Sequence, residues 1–87
     1  MYLFDVRLKE LRQEHKLSLQ RLGNIIGVSD TAIMKWEGKQ AEPKASYIIA
    51  LATYFNVSAD YLLGLEDETG AKTYQSGQYV IKQDQSK

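Results

Sequence analysis

Thr31 and Lys35 stand four residues apart in the stretch Val28-Ser29-Asp30-Thr31-Ala32-Ile33-Met34-Lys35-Trp36-Glu37-Gly38. On a helix that spacing puts both side chains on one face. A threonine donates, accepts or offers a methyl group. A lysine one turn later reaches the O6 and N7 atoms of guanine. These groups suit the edges of base pairs in a major groove, which admits one helix and shows each pair a distinct donor and acceptor pattern. Ile33 and Trp36, three apart, fall on the other side and anchor the helix to the body of the protein.

A helix with that task must be held outermost, and the preceding residues are suited to hold it. Ser18 and Ser29 each stand directly ahead of a helical pattern, where an N-cap is wanted. Gly27 follows the last apolar residue of the first pattern, where glycine adopts a left-handed backbone at little cost. Two short helices are expected, Leu19 to Ile26 and Asp30 to Glu37, joined by a tight turn. Small polar residues open the second and leave its outer face bare, as a helix entering a DNA groove requires.

Three further helices are expected around this pair. Phe4 to His15 carries Val6, Leu8 and Leu11 as apolar positions, with Asp5 near its start and His15 at its end suited to the helix dipole. In Leu19 to Ile26, the inward candidates are Leu22, Ile25 and Ile26. Pro43 closes a polar loop and suits the first turn of a new helix or the residue before it. Ala45 to Phe55 then carries Ile48, Leu51, Ala52 and Phe55 as its stripe, and Ser58 caps a short helix from Ala59 to Leu63, stopped by Gly64. Residues 1–65 are thus expected to form one all-α domain. Residues 66–87 are read as an acidic linker and tail, in which Tyr79, Val80 and Ile81 suit a short strand that pairs with a second copy, or as the start of a hinge in a longer protein.

The chain of 87 residues is long enough for a modest core and has no cysteine, which excludes disulfides and thiolate metal sites. No apolar run approaches the ~20 residues that cross a bilayer, and the first residues lack the pattern of a signal peptide. A cytoplasmic protein is expected, with no membrane partner. Formal net charge is zero, so attraction to phosphate depends on where the charges sit. Lys35, Lys39 and Lys44 lie near the reading helix, while Glu66, Asp67 and Glu68 cluster beyond the helical body. One histidine, no cysteine and no phosphate-cradling glycine loop leave little footing for catalysis, a metal or a cofactor.

Three pieces in order resemble one family. Arg7-Leu8-Lys9-Glu10-Leu11-Arg12, Ser18 to Glu37, and Val57-Ser58-Ala59-Asp60-Tyr61-Leu62-Leu63-Gly64 are similar to the phage-repressor and Cro class of helix-turn-helix proteins, the xenobiotic-response-element family. The resemblance implies a compact five-helix, lambda-repressor-like bundle that binds double-stranded DNA as a homodimer on paired half-sites. It implies base-edge contacts for Asp30, Thr31 and Lys35. It implies phosphate contacts for Ser18, Lys39, Gln40 and Lys44, and an internal salt bridge between Arg12 and Glu37. The family favours glutamine where this chain has Leu19, so Gln20 is the substitute phosphate contact. It commonly has alanine where this chain has Gly23, and both are small enough for close helix approach.

Blander roles stand beside these. Asp30 suits the helix dipole as well as a cytosine amino group. Trp36 suits packing, His15 suits a helix C-terminus, and Met34 suits an exposed position beside a thymine methyl. The function expected is a sequence-specific transcription regulator, a phage or mobile-element repressor. The alternative is a protein-interaction module, such as an antitoxin or antirepressor, that uses the same fold on a protein partner.

Overall fold

The computed structural model describes residues 3–72, and the proposed strand at Tyr79, Val80 and Ile81 lies outside them. Five helices follow one another: α1 Phe4–Glu14, α2 Leu19–Ile26, α3 Asp30–Glu37, α4 Ala45–Phe55 and α5 Ala59–Leu63. α1 stops one residue before the expected end. His15 is its cap, and Lys16 turns left-handed at φ 56°. Pro43 lies one residue ahead of Lys44, the cap of α4.

The short helices are made locally. Ser18 Oγ accepts from the Arg21 amide and Ser29 Oγ from the Ala32 amide, both at 3.0 Å. Each bond satisfies one of the amides that a helix start leaves without an intrahelical partner. Gly27 has φ 84°, and the amides of Gly27 and Val28 both donate to the Gly23 carbonyl at 2.8 Å. That left-handed residue reverses the chain between α2 and α3. α4 ends likewise on left-handed Asn56 at φ 57°.

One core receives all five helices. Phe4, Leu8 and Leu11 from α1 meet Leu22 of α2, Ile33 and Trp36 of α3, Leu51, Ala52 and Phe55 of α4, and Leu62 of α5. The Phe4 and Trp36 rings meet edge-on at 6.5 Å between centroids, and Tyr47 covers Trp36 from α4 at 5.7 Å. Trp36 is therefore a packing residue. Burial of these side chains ties α3 to the body on one side only.

Two apolar positions of the helical patterns face solvent, one of them the inward candidate Ile25. Val6 and Ile25 are exposed, because each lies beside the stripe that its helix turns to the core rather than on it. Glu66 to Ala71 also departs from the solvated linker expected. Residues 66 and 72 form a single antiparallel bridge, and the Asp67 carboxylate accepts from the Thr69 and Ala71 amides, so the segment is a closed turn. Arg7 secures it from α1, donating to the carbonyls of Tyr61 at 2.5 Å and Glu66 at 2.6 Å, with its guanidinium 4.1 Å from the centre of the Tyr61 ring.

Candidate nucleic-acid interface

On α3 the burial pattern divides by face. Ile33 and Trp36 are buried, Ala32 and Glu37 half-buried, and Asp30, Thr31, Met34 and Lys35 exposed. The exposed four lie at helical spacings that share a face. Among the described residues, no hydrogen bond or ion pair engages the side chains of Asp30, Thr31 or Lys35 with the rest of the domain. That face carries a carboxylate, a hydroxyl with its methyl, a thioether and an ammonium.

α3 is fixed in place from two directions. The first is α2. A Cβ built on Gly23 would stand 2.5 Å from the Val28 carbonyl oxygen and 3.3 Å from the Asp30 nitrogen. The turn backbone thus packs directly against the glycine. Alanine is not equivalent there, which corrects the expectation that either small residue would serve. The second is α1. Arg12 Nε donates to Glu37 Oε2 at 2.7 Å and Nη2 to Oε1 at 2.9 Å, a two-pronged bond between the first and third helices. Its third nitrogen, Nη1, donates to the Leu17 carbonyl at 2.9 Å. Both side chains are largely buried, and the bond to Glu37 outweighs burial and raises the Arg12 pKa above its ordinary value.

The proposed phosphate ligands Ser18, Gln20, Lys39, Gln40 and Lys44 are all exposed. Ser18 already caps α2 through its hydroxyl, and Lys44 stands at the start of α4 without a side-chain cap bond. Leu19 packs against the edge of the core, and the next residues in the first turn of α2, Gln20 and Arg21, are polar and exposed. Gln40 is held by its amide, which donates to the Lys35 carbonyl at 2.8 Å. Lys39 takes up a left-handed backbone at φ 63°, so the reversal after α3 falls on the lysine rather than on Gly38.

Three features were missed in the sequence. Asp5, assigned only to the helix dipole, is buried, and its Oδ2 lies 3.7 Å from Lys39 Nζ. Arg7 and Lys72 had no role, yet both hold the 66–72 turn. Lys72 Nζ donates to Asp60 at 2.8 Å and to Glu66 at 2.6 Å, and Ser58 donates to Glu66 at 2.5 Å. The bonds from Lys72 and Ser58 lower the Glu66 pKa, and those that Lys72 donates to Asp60 and Glu66 raise its own. The acidic run that offered the only signal for this cluster reads equally well as solvated charge. No group of acidic and histidine side chains suited to a metal occurs among the described residues, and no helix there is long and apolar enough to cross a membrane.

Two helices locked by a glycine contact, the second bare on its outer side and braced by a first-helix arginine, define a helix-turn-helix domain of the phage-repressor and Cro class. The chain belongs to the helix-turn-helix domain family, whose pattern it matches over residues 6–68. This is a family of DNA-binding regulators, not of enzymes. The chain is 35% identical over 70 residues to the uncharacterized HTH-type transcriptional regulator YobD of Bacillus subtilis, covering 80% of this chain and 62% of that protein. It is 36% identical over 61 residues to repressor protein C2 of Salmonella phage P22, covering 70% of this chain and 28% of that one. The crystal structure of the P22 c2 repressor in complex with a synthetic operator superimposes with a TM-score of 0.68 at 35% identity, over 72% of this chain and 96% of that chain. A transcriptional regulator from Listeria innocua gives 0.72 at 28% identity, over 78% and 64%. The chain thus spans less than two thirds of the length of these two curated relatives.

Proposed function

We propose that this chain is the DNA-binding part of a transcription repressor of a phage or mobile element, acting as a homodimer on a palindromic operator. α3 enters the major groove. Asp30, Thr31 and Lys35 face base edges, and Ser18, Gln20, Lys39, Gln40 and Lys44 lie along phosphates, where they position the domain without reading sequence. The observation that carries the reading is the outer face of α3, exposed along its length and engaged by nothing else among the described residues. The likeness to an operator-bound phage repressor supports it. Ile49 and Tyr54, exposed on α4, are the apolar side chains offered to a second copy.

Selection of bound duplexes from a random pool tests this. A two-fold symmetric motif is expected, with affinity that falls steeply as salt rises because bound phosphates release counterions. Recovery of unrelated sequences, bound no better than the starting pool, contradicts it.

A further inference from the structure

Asp5 is a buried charged residue in the first turn of α1. Its Oδ1 is sealed from solvent with no hydrogen-bond partner among the described residues, and the cation there at its Oδ2 is Lys39, 3.7 Å away. Lys39 lies two residues beyond α3, and its side chain is 64% exposed while that of Asp5 is 10% exposed. The lysine therefore stands between a buried carboxylate and the solvent from which a duplex approaches. Its backbone is fixed in a left-handed turn, so only the side chain is free to choose between the two.

We propose that Asp5 is a tether that competes with DNA phosphate for Lys39 and so sets the strength of the domain's grip on DNA. This rests on the reading of Lys39 as a phosphate ligand. When a phosphate draws the ammonium away, the buried carboxylate is left without its cation. That is unfavourable and subtracts from the gain of the new contact. The tether lowers affinity for every duplex alike, because a phosphate contact carries no sequence information.

The test uses the full chain, with a selected duplex and a random duplex of equal length, titrated by fluorescence anisotropy over a range of salt. Asp5→Asn keeps the shape of the side chain and removes its charge. It is expected to bind both duplexes roughly two- to fivefold more tightly, the size of a weak ion pair released. Its dependence of log affinity on log salt is expected to steepen by about one phosphate contact. In a Lys39→Ala background, Asp5→Asn is expected to change nothing. Equal tightening in both backgrounds would make Asp5 a general negative charge and overturn the tether. Unchanged or weaker binding by a folded Asp5→Asn variant would also overturn it. Should that variant melt below the assay temperature, Asp5→Ser takes its place in both backgrounds, and the same changes in affinity support or overturn the tether. Failure of the unaltered chain to bind any duplex strikes at the proposed function instead, so the two outcomes are separable.

Discussion

The outer side of α3 and the turn beyond α5 handle charge in opposite ways. At the turn, Arg7, Asp60, Glu66 and Lys72 are engaged with one another, with Ser58 or with backbone carbonyls. On α3, Asp30 and Lys35 point to solvent with no such engagement among the described residues. A polar group already held by the protein is structural, since withdrawing it breaks bonds that folding made. A polar group left free on a rigid helix is available to a partner at no such loss. The same residue types thus serve a closure in one region and an interface in the other, and their partners tell the two apart rather than their chemistry.

The sharpest way to break this contrast is to disturb what holds α3. Glu37→Gln leaves Arg12 without its anionic partner in a largely buried site. A loss of about 3 kcal/mol is expected, the lower end for a broken buried pair, read by urea unfolding. Gly23→Val forces a side chain against the Val28 carbonyl, and overpacking of this kind costs about 1–3 kcal/mol. Equal unfolding midpoints for Gly23→Val and the unaltered chain would show that α2 and α3 separate freely. Thr31→Ala and Lys35→Ala should each cost roughly 1–3 kcal/mol in binding to a cognate duplex if they read bases. Their unfolding should change by no more than about 0.5 kcal/mol, as for any unengaged surface residue. The pairing of a binding loss with intact stability is the signature of an interface.

The turn should respond to pH instead. Glu66 has a lowered pKa in the folded state, so its contribution is complete above the ordinary glutamate range and is lost as pH falls through the folded value. Lys72 has a raised pKa, so its contribution is complete below the ordinary lysine range and is lost only as pH rises through the folded value. The turn is expected to stay closed across neutral pH and to open in acid. Amide hydrogen exchange at Asp67, whose amide donates to the Ala71 carbonyl, should report this. Protection that stays undiminished as pH falls past the lowered, folded-state value of Glu66 would contradict the role given to it.

The bounds of α2 through α5 were legible in the sequence because local signals set them. Serine caps, left-handed Gly27 and Asn56, and apolar residues three and four apart act within one turn of chain. The exposure of the α3 face was legible for the same reason. Long-range matters were not. Val6 and Ile25 are apolar and adjacent to their stripes, and only the packed neighbours decide which residue of a pair turns inward. Asp5 is buried beside a cation, Lys39, that lies far from it in the chain. The acidic run from Glu66 did not disclose its closure, because Arg7 lies far away in the chain, Ser58 had another role as a cap, and Lys72 beside acidic residues reads equally well as solvated charge.

Whether the exposed side of α3 reads base pairs is decided most directly by selecting duplexes from one random pool with the unaltered chain and with Lys35→Ala in parallel. Both proteins are expected to recover the same symmetric motif except at one position in each half, where the variant loses its preference. An identical motif from the two proteins, position for position, would contradict base reading by Lys35 and leave this helix only a support on the phosphate backbone.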